Sequence, residues 1–390
     1  MRLISTQSLK VVSIREDEIP PYAILSHTWD KDEVTLQEMQ GFGAELLSTA
    51  SRIDLLKAKQ GLRKVLHAAN LAASEGHDWI WIDTCYIDKT SSAELSEAIN
   101  SMYRWYQGSE ICYVYLSDAR LGDKELQKSG DESLGRLIQD SRWIACGWTF
   151  QELIAPSSVL FYSSDWSFIG RSSEDHIIRT LAEATGIDIG VLSGDIATQE
   201  VSVANRMRWA SKRKTTRKED MAYCLMGLFS VSMPLLYGEG GVRSFIRLQN
   251  EILQATDDQT ISAWSTPPGS KDNIRASGLL AESPAYFRDA PSMYPMSDWY
   301  QPEISTPWSM TNRGLMVQLY LQPSKSDGST KEDSADDFVA VLNCSAEISR
   351  VDYLGREWIR DYSPTISLRR LWGDQFARMH GDEVRYCRNA

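Results

Sequence analysis

The sequence has no two cysteines at CxxC spacing and no HExxH. Its 6 cysteines and 5 histidines are scattered along the chain, which gives no support for a structural or catalytic zinc site. A phosphate loop is missing too: GEGG at 238–241 lacks the G-x-x-x-x-G-K-[ST] spacing. The absence of G-x-S-x-G argues against an α/β-hydrolase. The opening MRLISTQSLK lacks the unbroken apolar core of a signal peptide, so reduced thiols and a cytoplasmic protein are expected. Membrane spans need about 20 mostly apolar residues. The longest apolar stretch, 221–238, is interrupted by Ser230, Ser232 and Pro234 and reads as a buried helix ending near Pro234. Positive charge is also short: 41 Lys and Arg against 53 Asp and Glu leave a net charge of −12. That balance argues against whole-surface attraction to nucleic acid or anionic lipid.

What is present is an ordinary globular composition, 42% hydrophobic and 24% charged. In the first third, strand-like runs alternate with helical periodicity. YAILS (22–26), WIWID (79–83), ICYVYL (111–116) and VLFY (159–162) read as strands. The stretches 61–74 and 92–106 carry apolar residues at helical spacing. Apolar strands separated by helices predict an α/β domain with a parallel sheet covered on both faces, assigned to 1–170. A helical extension over 171–260 and a β-rich C-terminal region over 261–390 follow. More than half of the 13 prolines lie between Pro267 and Pro307, which makes that part irregular. The polar stretch SKSDGSTKEDSADD reads as an exposed or disordered loop.

Ligands of parallel α/β sheets bind beyond the carboxyl ends of the strands. Here those ends carry SHTW (26–29), DTCYID (83–88) and Ser117-Asp118. Asp83 and Asp88, with Lys89 between them and Ser91, suit contact with a ligand's hydroxyls or phosphates, or simple turn chemistry. His27 reads as a polar cleft residue or as the end of a strand. Trp29 and Trp148 fall in expected loops, where planar-ligand stacking and ordinary packing are both open. Glu152 has two readings that do not exclude each other. Thr149-Phe-Gln-Glu152 has the form of a capping box, with Glu152 bonding back to the backbone of Thr149, and this helix start also lies at the edge of the expected cleft. Ser91-Ser-Ala-Glu94 reads as a second capping box. The acid-free run from Arg206 to Lys218 reads as a solvated helix face rather than a nucleic-acid patch.

The stretches YAILSHTW, WIWIDTCYIDKTSSAELSEAINSMYRWY, CYVYLSD and SRWIACGWTFQELIAP resemble the fungal heterokaryon-incompatibility (HET) domain. The resemblance continues through SVANRMRWASKRKTTRKEDMAYCLMGLFSVSMPLLYGEGG and SFIRLQNEIL. The order of elements also looks like a TIR domain, with SRWIACGWTFQEL similar to the TIR pattern S-x-W-C-x-x-E-L, although Thr149 stands where that pattern has cysteine. This likeness implies a TIR/flavodoxin-like fold and cleavage of NAD+ as substrate, with no further cofactor. It puts the catalytic role on Glu152. It implies that Ser26, His27, Trp29, Asp83, Asp88, Lys89, Ser91 and Trp148 surround the substrate. Expected partners are further copies of the chain and an incompatibility partner protein. The alternative is a non-catalytic signalling module that triggers cell death by assembling.

Overall fold

In the computed structural model, residues 1–42, 59–88, 90–121, 131–267, 277–296, 308–324, 336–351, 357–379, 381 and 383–388 are described. The polar stretch 324–337 lies for the most part outside them. The sequence draws three parts, and the chain divides into two units. The first is Met1–Ile196 with Arg213–Thr215; the second is Ala197–Lys212 with Thr216–Ala390.

The first unit is built on seven strands: β1 (Arg2–Ser5), β2 (Val11–Ser13), β3 (Ala23–His27), β4 (Trp79–Ile82), β5 (Ile111–Tyr115), β6 (Val159–Tyr162) and β7 (Phe168–Arg171). Their order across the sheet is β2-β1-β4-β3-β5-β6-β7. The four expected strands are present and mutually parallel, in the order β4-β3-β5-β6. The sheet as a whole is mixed, which corrects the all-parallel expectation. The hairpin β1–β2 adds antiparallel to β4, and β7 adds antiparallel to β6. These extra strands are only 3–4 residues long, too short to give a period-two signal.

Alternation along β3 sends its side chains to two different layers. Ala23 and Leu25 join Ile80, Ile82, Tyr113 and Leu160 against the helix α2 (Gln60–Ser74), following α1 (Leu36–Phe42) in the chain. Small residues Ala68, Ala69 and Ala72 of α2 are fully buried there, and they let the helix lie close on the sheet. The opposite face is aromatic. Trp81 of β4 packs 5.6 Å from Trp105 and 5.8 Å from Tyr106, both on the helix α4 (Ser92–Gln107), and Trp143 meets Phe161 edge-on at 5.7 Å. Between β4 and α4 a single turn, α3 (Asp83–Tyr86), begins at the last residue expected to be strand. After β5 come α5 (Asp131–Gln139), α6 (Arg142–Ala145) and α7 (Thr149–Ile154).

In β4-β3-β5-β6 the chain runs from the inner strand β3 outward to β4, then returns past β3 to β5. The carboxyl ends of β3 and β5 therefore flank a topological switch point, where helices leave on opposite sides and open a crevice.

The second unit holds an antiparallel sheet. Its strands are β8 (Ser292–Pro295), β11 (Tyr320–Pro323), β12 (Asp337–Val341), β13 (Cys344–Val351), β14 (Glu357–Trp372), β15 (Gln375–Met379) and β16 (Arg385–Arg388). The 16-residue β14 pairs with four others. A separate antiparallel pair is formed by β9 (Ser309–Thr311) and β10 (Gly314–Met316). Stretch 221–238 is not one helix: a turn over Asp220–Tyr223 and a 3-10 turn over Gly227–Phe229 end at Ser230. Ser230 has φ +56°, a left-handed conformation that no helix continues through. Among the described residues, no helix is long and apolar enough to cross a membrane.

The 206–218 run is split: Arg206 and Arg213 are buried and Arg208 is half-buried, whereas Lys212, Lys214, Arg217 and Lys218 are exposed, so the solvated-face reading fails for the first group and holds for the second. Arg206 donates to Leu228 O at 3.0 Å and lies 4.5 Å over Phe229. Arg208 donates to Ala290 O at 3.2 Å, and Arg217 sits 4.3 Å over Tyr237. Arg213 belongs to the first unit and returns below.

Candidate active site

The switch point gathers side chains from four segments. Ser26, next to last in β3, points to the aromatic face. Its hydroxyl donates to Glu152 Oε2 and accepts from Trp143 Nε1 at 2.7 Å. Glu152 lies on α7, whose first residue Thr149 hydrogen-bonds through its hydroxyl to the carbonyls of Trp143 and Cys146. The helix is preceded by Trp148 with no side-chain cap. The capping-box reading of Glu152 is thereby corrected: Thr149 is already helical, and the carboxyl reaches across to β3. At the second expected box, Ser91 does cap its helix, accepting from Glu94 N at 3.3 Å. The carboxylate of Glu94 pairs instead with Arg2 at 2.8 Å.

Glu152 is 5% exposed and Ser26 not at all. Burial, with the negative charge of Asp83 added, raises the Glu152 carboxyl from an ordinary 4.5 to about 8; the hydroxyls of Ser26 and Tyr106 and the charge of Arg213 oppose that rise. Tyr106 also donates to Leu25 O at 3.2 Å. Behind Glu152, the Cys112 thiol lies 3.9 Å from its backbone carbonyl, and burial pushes that thiol up, keeping it neutral.

His27 points to the other face. Its Nε2 stands 3.7 Å from Glu33 and 3.7 Å from Asp83, an electrostatic contact longer than a hydrogen bond. Lys64 of α2 completes the cluster, 2.5 Å from Glu33 Oε1. Despite a burial that would raise it, the Glu33 carboxyl is held down at about 2 by His27 and Lys64. Glu33 also accepts from the backbone of Asp30 at 2.8 Å, which fixes the loop after Trp29. The same loop receives the start of α2: Gly61 N donates to Asp32 O at 3.0 Å, and a Cβ on Gly61 would meet that oxygen at 2.2 Å.

Asp83 joins the two faces. It accepts from Thr84 N at 2.6 Å and from the indole of Trp29 at 2.5 Å. Trp29 is 48% exposed, so its ring, tied to Asp83 through the indole N–H, stands open to solvent. The rim is polar: Arg142 reaches Asp30 at 2.9 Å and Ser117 at 2.7 Å, and its backbone N–H meets Asp118 at 2.8 Å.

Of the residues singled out in the sequence, Ser26, His27, Trp29, Asp83 and Glu152 come together here. Asp88 and Ser91 do not join the cluster. Asp88 is occupied by Thr90 at 2.9 and 2.6 Å and by Gln37 at 2.8 Å, which is turn chemistry, and Ser91 is a helix cap. Trp148 flanks α7, half-buried, and Lys89 lies outside the described residues. Sequence reasoning missed Trp143, Tyr106, Glu33, Lys64 and Arg213. The clue available was position: Trp143 shares a segment with Glu152, and Glu33 closes the acidic loop after Trp29. No group of three or more His, Cys, Asp or Glu suited to a metal ion occurs among the described residues.

Comparison with known proteins identifies part of this unit. The family model for heterokaryon incompatibility protein (HET) matches residues 22–131, a span that includes Ser26, His27, Trp29 and Asp83 but ends before Glu152. The chain is 40% identical over 272 residues to vegetative incompatibility protein HET-E-1 of Podospora anserina; this covers 68% of the chain and 19% of that protein. The chain thus spans about a fifth of the length of this curated relative. No solved structure matches.

Proposed function

Since the chain carries a heterokaryon incompatibility domain, we propose that its first unit is an NAD+ glycohydrolase that serves non-self recognition and programmed cell death, with Glu152 as its catalytic residue. One observation carries the reading. A buried carboxyl sits beyond the carboxyl ends of parallel strands, at the switch point, oriented by a serine that is itself held by a tryptophan. The order β4-β3-β5-β6 agrees with a TIR/flavodoxin-like core.

The chemistry asks little of the protein. The nicotinamide–ribose C–N bond breaks, and nicotinamide leaves as a neutral molecule with the bonding pair. The anomeric carbon becomes an oxocarbenium-like centre. Water then adds there and releases one proton, giving ADP-ribose, nicotinamide and H+. Ionised Glu152 stabilises the growing positive charge. A second acid is unnecessary because the leaving group is already cationic. Trp29 is placed to cover the nicotinamide ring.

The test is nicotinamide release by purified protein, followed against pH. Glu152 holds its proton up to about 8 in the free protein, so kcat/KM rises with pH through that midpoint. The cationic ring of bound substrate favours the ionised carboxylate, so kcat turns at a lower pH. A kcat/KM independent of pH from 6 to about 9 would remove Glu152 from the reaction.

A second reading, a non-catalytic module acting by assembly, draws on the burial of Ser26 and Glu152. Within the catalytic reading, the same burial means that the Trp29 loop must move to admit substrate, and self-association is the step that moves it. Turnover per chain is therefore expected to increase with protein concentration. Turnover strictly proportional to concentration in a monomeric sample speaks against that step, and no nicotinamide at any concentration leaves the non-catalytic module.

A further inference from the structure

We propose that Arg213 is the positioning residue of the Glu152 site, clamping the segment that carries Trp143 and Thr149 and so holding Ser26 and Glu152 in register. The guanidinium is buried, 6% exposed. Its Nη1 donates to Cys146 O at 2.9 Å and to Thr149 Oγ1 at 3.3 Å, and the group lies 4.5 Å over the ring of Phe150. The neighbouring backbone fastens the same segment. Lys214 N donates to Ala145 O at 2.8 Å, and Gly147 N donates to Lys214 O at 2.8 Å. Residues Arg213–Thr215 accordingly belong to the first unit, although the chain on both sides of them belongs to the second.

From Arg213 the hydrogen bonds form a closed circuit. Thr149 Oγ1 donates to Trp143 O, the Trp143 indole donates to Ser26, Ser26 donates to Glu152, and Glu152 returns to Thr149 through one turn of α7. A planar guanidinium that bonds two oxygens while stacking on a ring cannot be copied by an ammonium. The groups facing Glu152 are Ser26 from β3, Asp83 from α3, Tyr106 from α4, Cys112 from β5, Cys146 after α6, and Arg213. Arg213 is the cation among them, and its charge opposes the burial and the Asp83 repulsion that raise the carboxyl.

The proposal depends on the catalytic reading only for its turnover arm, so the experiment has a second, activity-free arm. The Glu152 carboxyl is titrated by its infrared band, identified by its loss in Glu152→Gln, in the full chain with Arg213→Met and Arg213→Lys. In Arg213→Met the midpoint is expected to rise by about one pH unit. Turnover at pH 7 should fall at least about tenfold and be partly regained at higher pH. Arg213→Lys keeps the charge but loses the planar stacking on Phe150, and is expected to give a smaller rise with a lower kcat and a similar KM. An unmoved midpoint in a folded Arg213→Met protein overturns the proposal. If that variant does not fold, Arg213→Lys decides: wild-type midpoint and wild-type turnover together overturn it. Absence of turnover in the wild type would sink the glycohydrolase reading and leave the titration arm standing.

Discussion

Glu152→Gln is expected to abolish NAD+ cleavage while leaving a protein that is more stable than the wild type at neutral pH. The amide matches the neutral carboxyl in shape, and its oxygen still accepts from Ser26. What it lacks is the negative charge that faces the oxocarbenium centre. Losing one preorganised electrostatic contact of this kind costs about 100- to 1,000-fold in rate. The stability gain follows from linkage. In the unfolded chain this glutamate ionises near 4.5, whereas the folded protein keeps its proton to about 8. Between those values the folded state binds more protons, so wild-type stability falls as pH rises, by roughly 1.4 kcal/mol per unit. The loss is absent below pH 4.5, reaches roughly 3 kcal/mol at pH 7 and levels off above pH 8 at roughly 5 kcal/mol. Glutamine carries no such loss. Thermal unfolding of both proteins at pH 4.5, 7 and 9 measures the difference, and nicotinamide release measures the rate. Glu152→Ala escapes the same loss but leaves the buried Ser26 hydroxyl without its acceptor, and is expected to be about 1–3 kcal/mol less stable than Glu152→Gln. A Glu152→Gln protein that cleaves NAD+ as fast as the wild type refutes the catalytic assignment. One whose stability difference does not change with pH refutes the raised carboxyl.

Such a trade of stability for a charge at a cleft is the kind of local conflict that sequence patterns register poorly. The parallel strands were legible because each is a short apolar run followed by polar residues, and the order of those runs placed Ser26, Asp83 and Glu152 at one edge. The edge strands β1, β2 and β7 were not legible, because 3 or 4 residues carry too little periodicity and their pairing depends on the finished sheet. Stretch 221–238 read as a helix on composition, yet the left-handed Ser230 and the following Pro234 break it. The Thr149–Glu152 spacing fits a capping box, but spacing cannot tell which oxygen the threonine will choose. Carbonyls of Trp143 and Cys146 take its hydroxyl, and Glu152 is left to meet a serine 126 residues away. Lys64 with Glu33, and Arg213 with Thr149, meet only through packing, across separations of 31 and 64 residues.

The Lys64–Glu33 pair is expected to be the largest single contributor to holding the Trp29 loop, and Lys64→Met should cost roughly 3–5 kcal/mol. Both groups are buried: the side chain of Lys64 is 7% and that of Glu33 10% exposed. Methionine fills the space of the lysine stem, so the cost is mainly electrostatic, a carboxylate left in a dry site beside Asp83. The pH dependence gives the sign. Glu33 titrates at about 2 in the folded protein against an ordinary 4.5. Its contribution, roughly 3 kcal/mol, is therefore fully present above pH 4.5 and disappears as pH falls through 2. Without Lys64 the Glu33 carboxyl moves up, though His27 still faces it and opposes the effect of burial, so the variant's deficit should shrink as the pH is lowered towards 4. The double variant Lys64→Met with Glu33→Gln removes both charges and should recover more than half of the loss, since replacing a buried pair together is far less costly than breaking it. The glutamine oxygen can still accept from the backbone of Asp30, so the loop after Trp29 is expected to keep its place. Chemical denaturation of the wild type and the two variants at pH 7 and pH 4 measures these terms. A Lys64→Met protein as stable as the wild type at pH 7 would mean that the pair is effectively solvated and does not hold the loop.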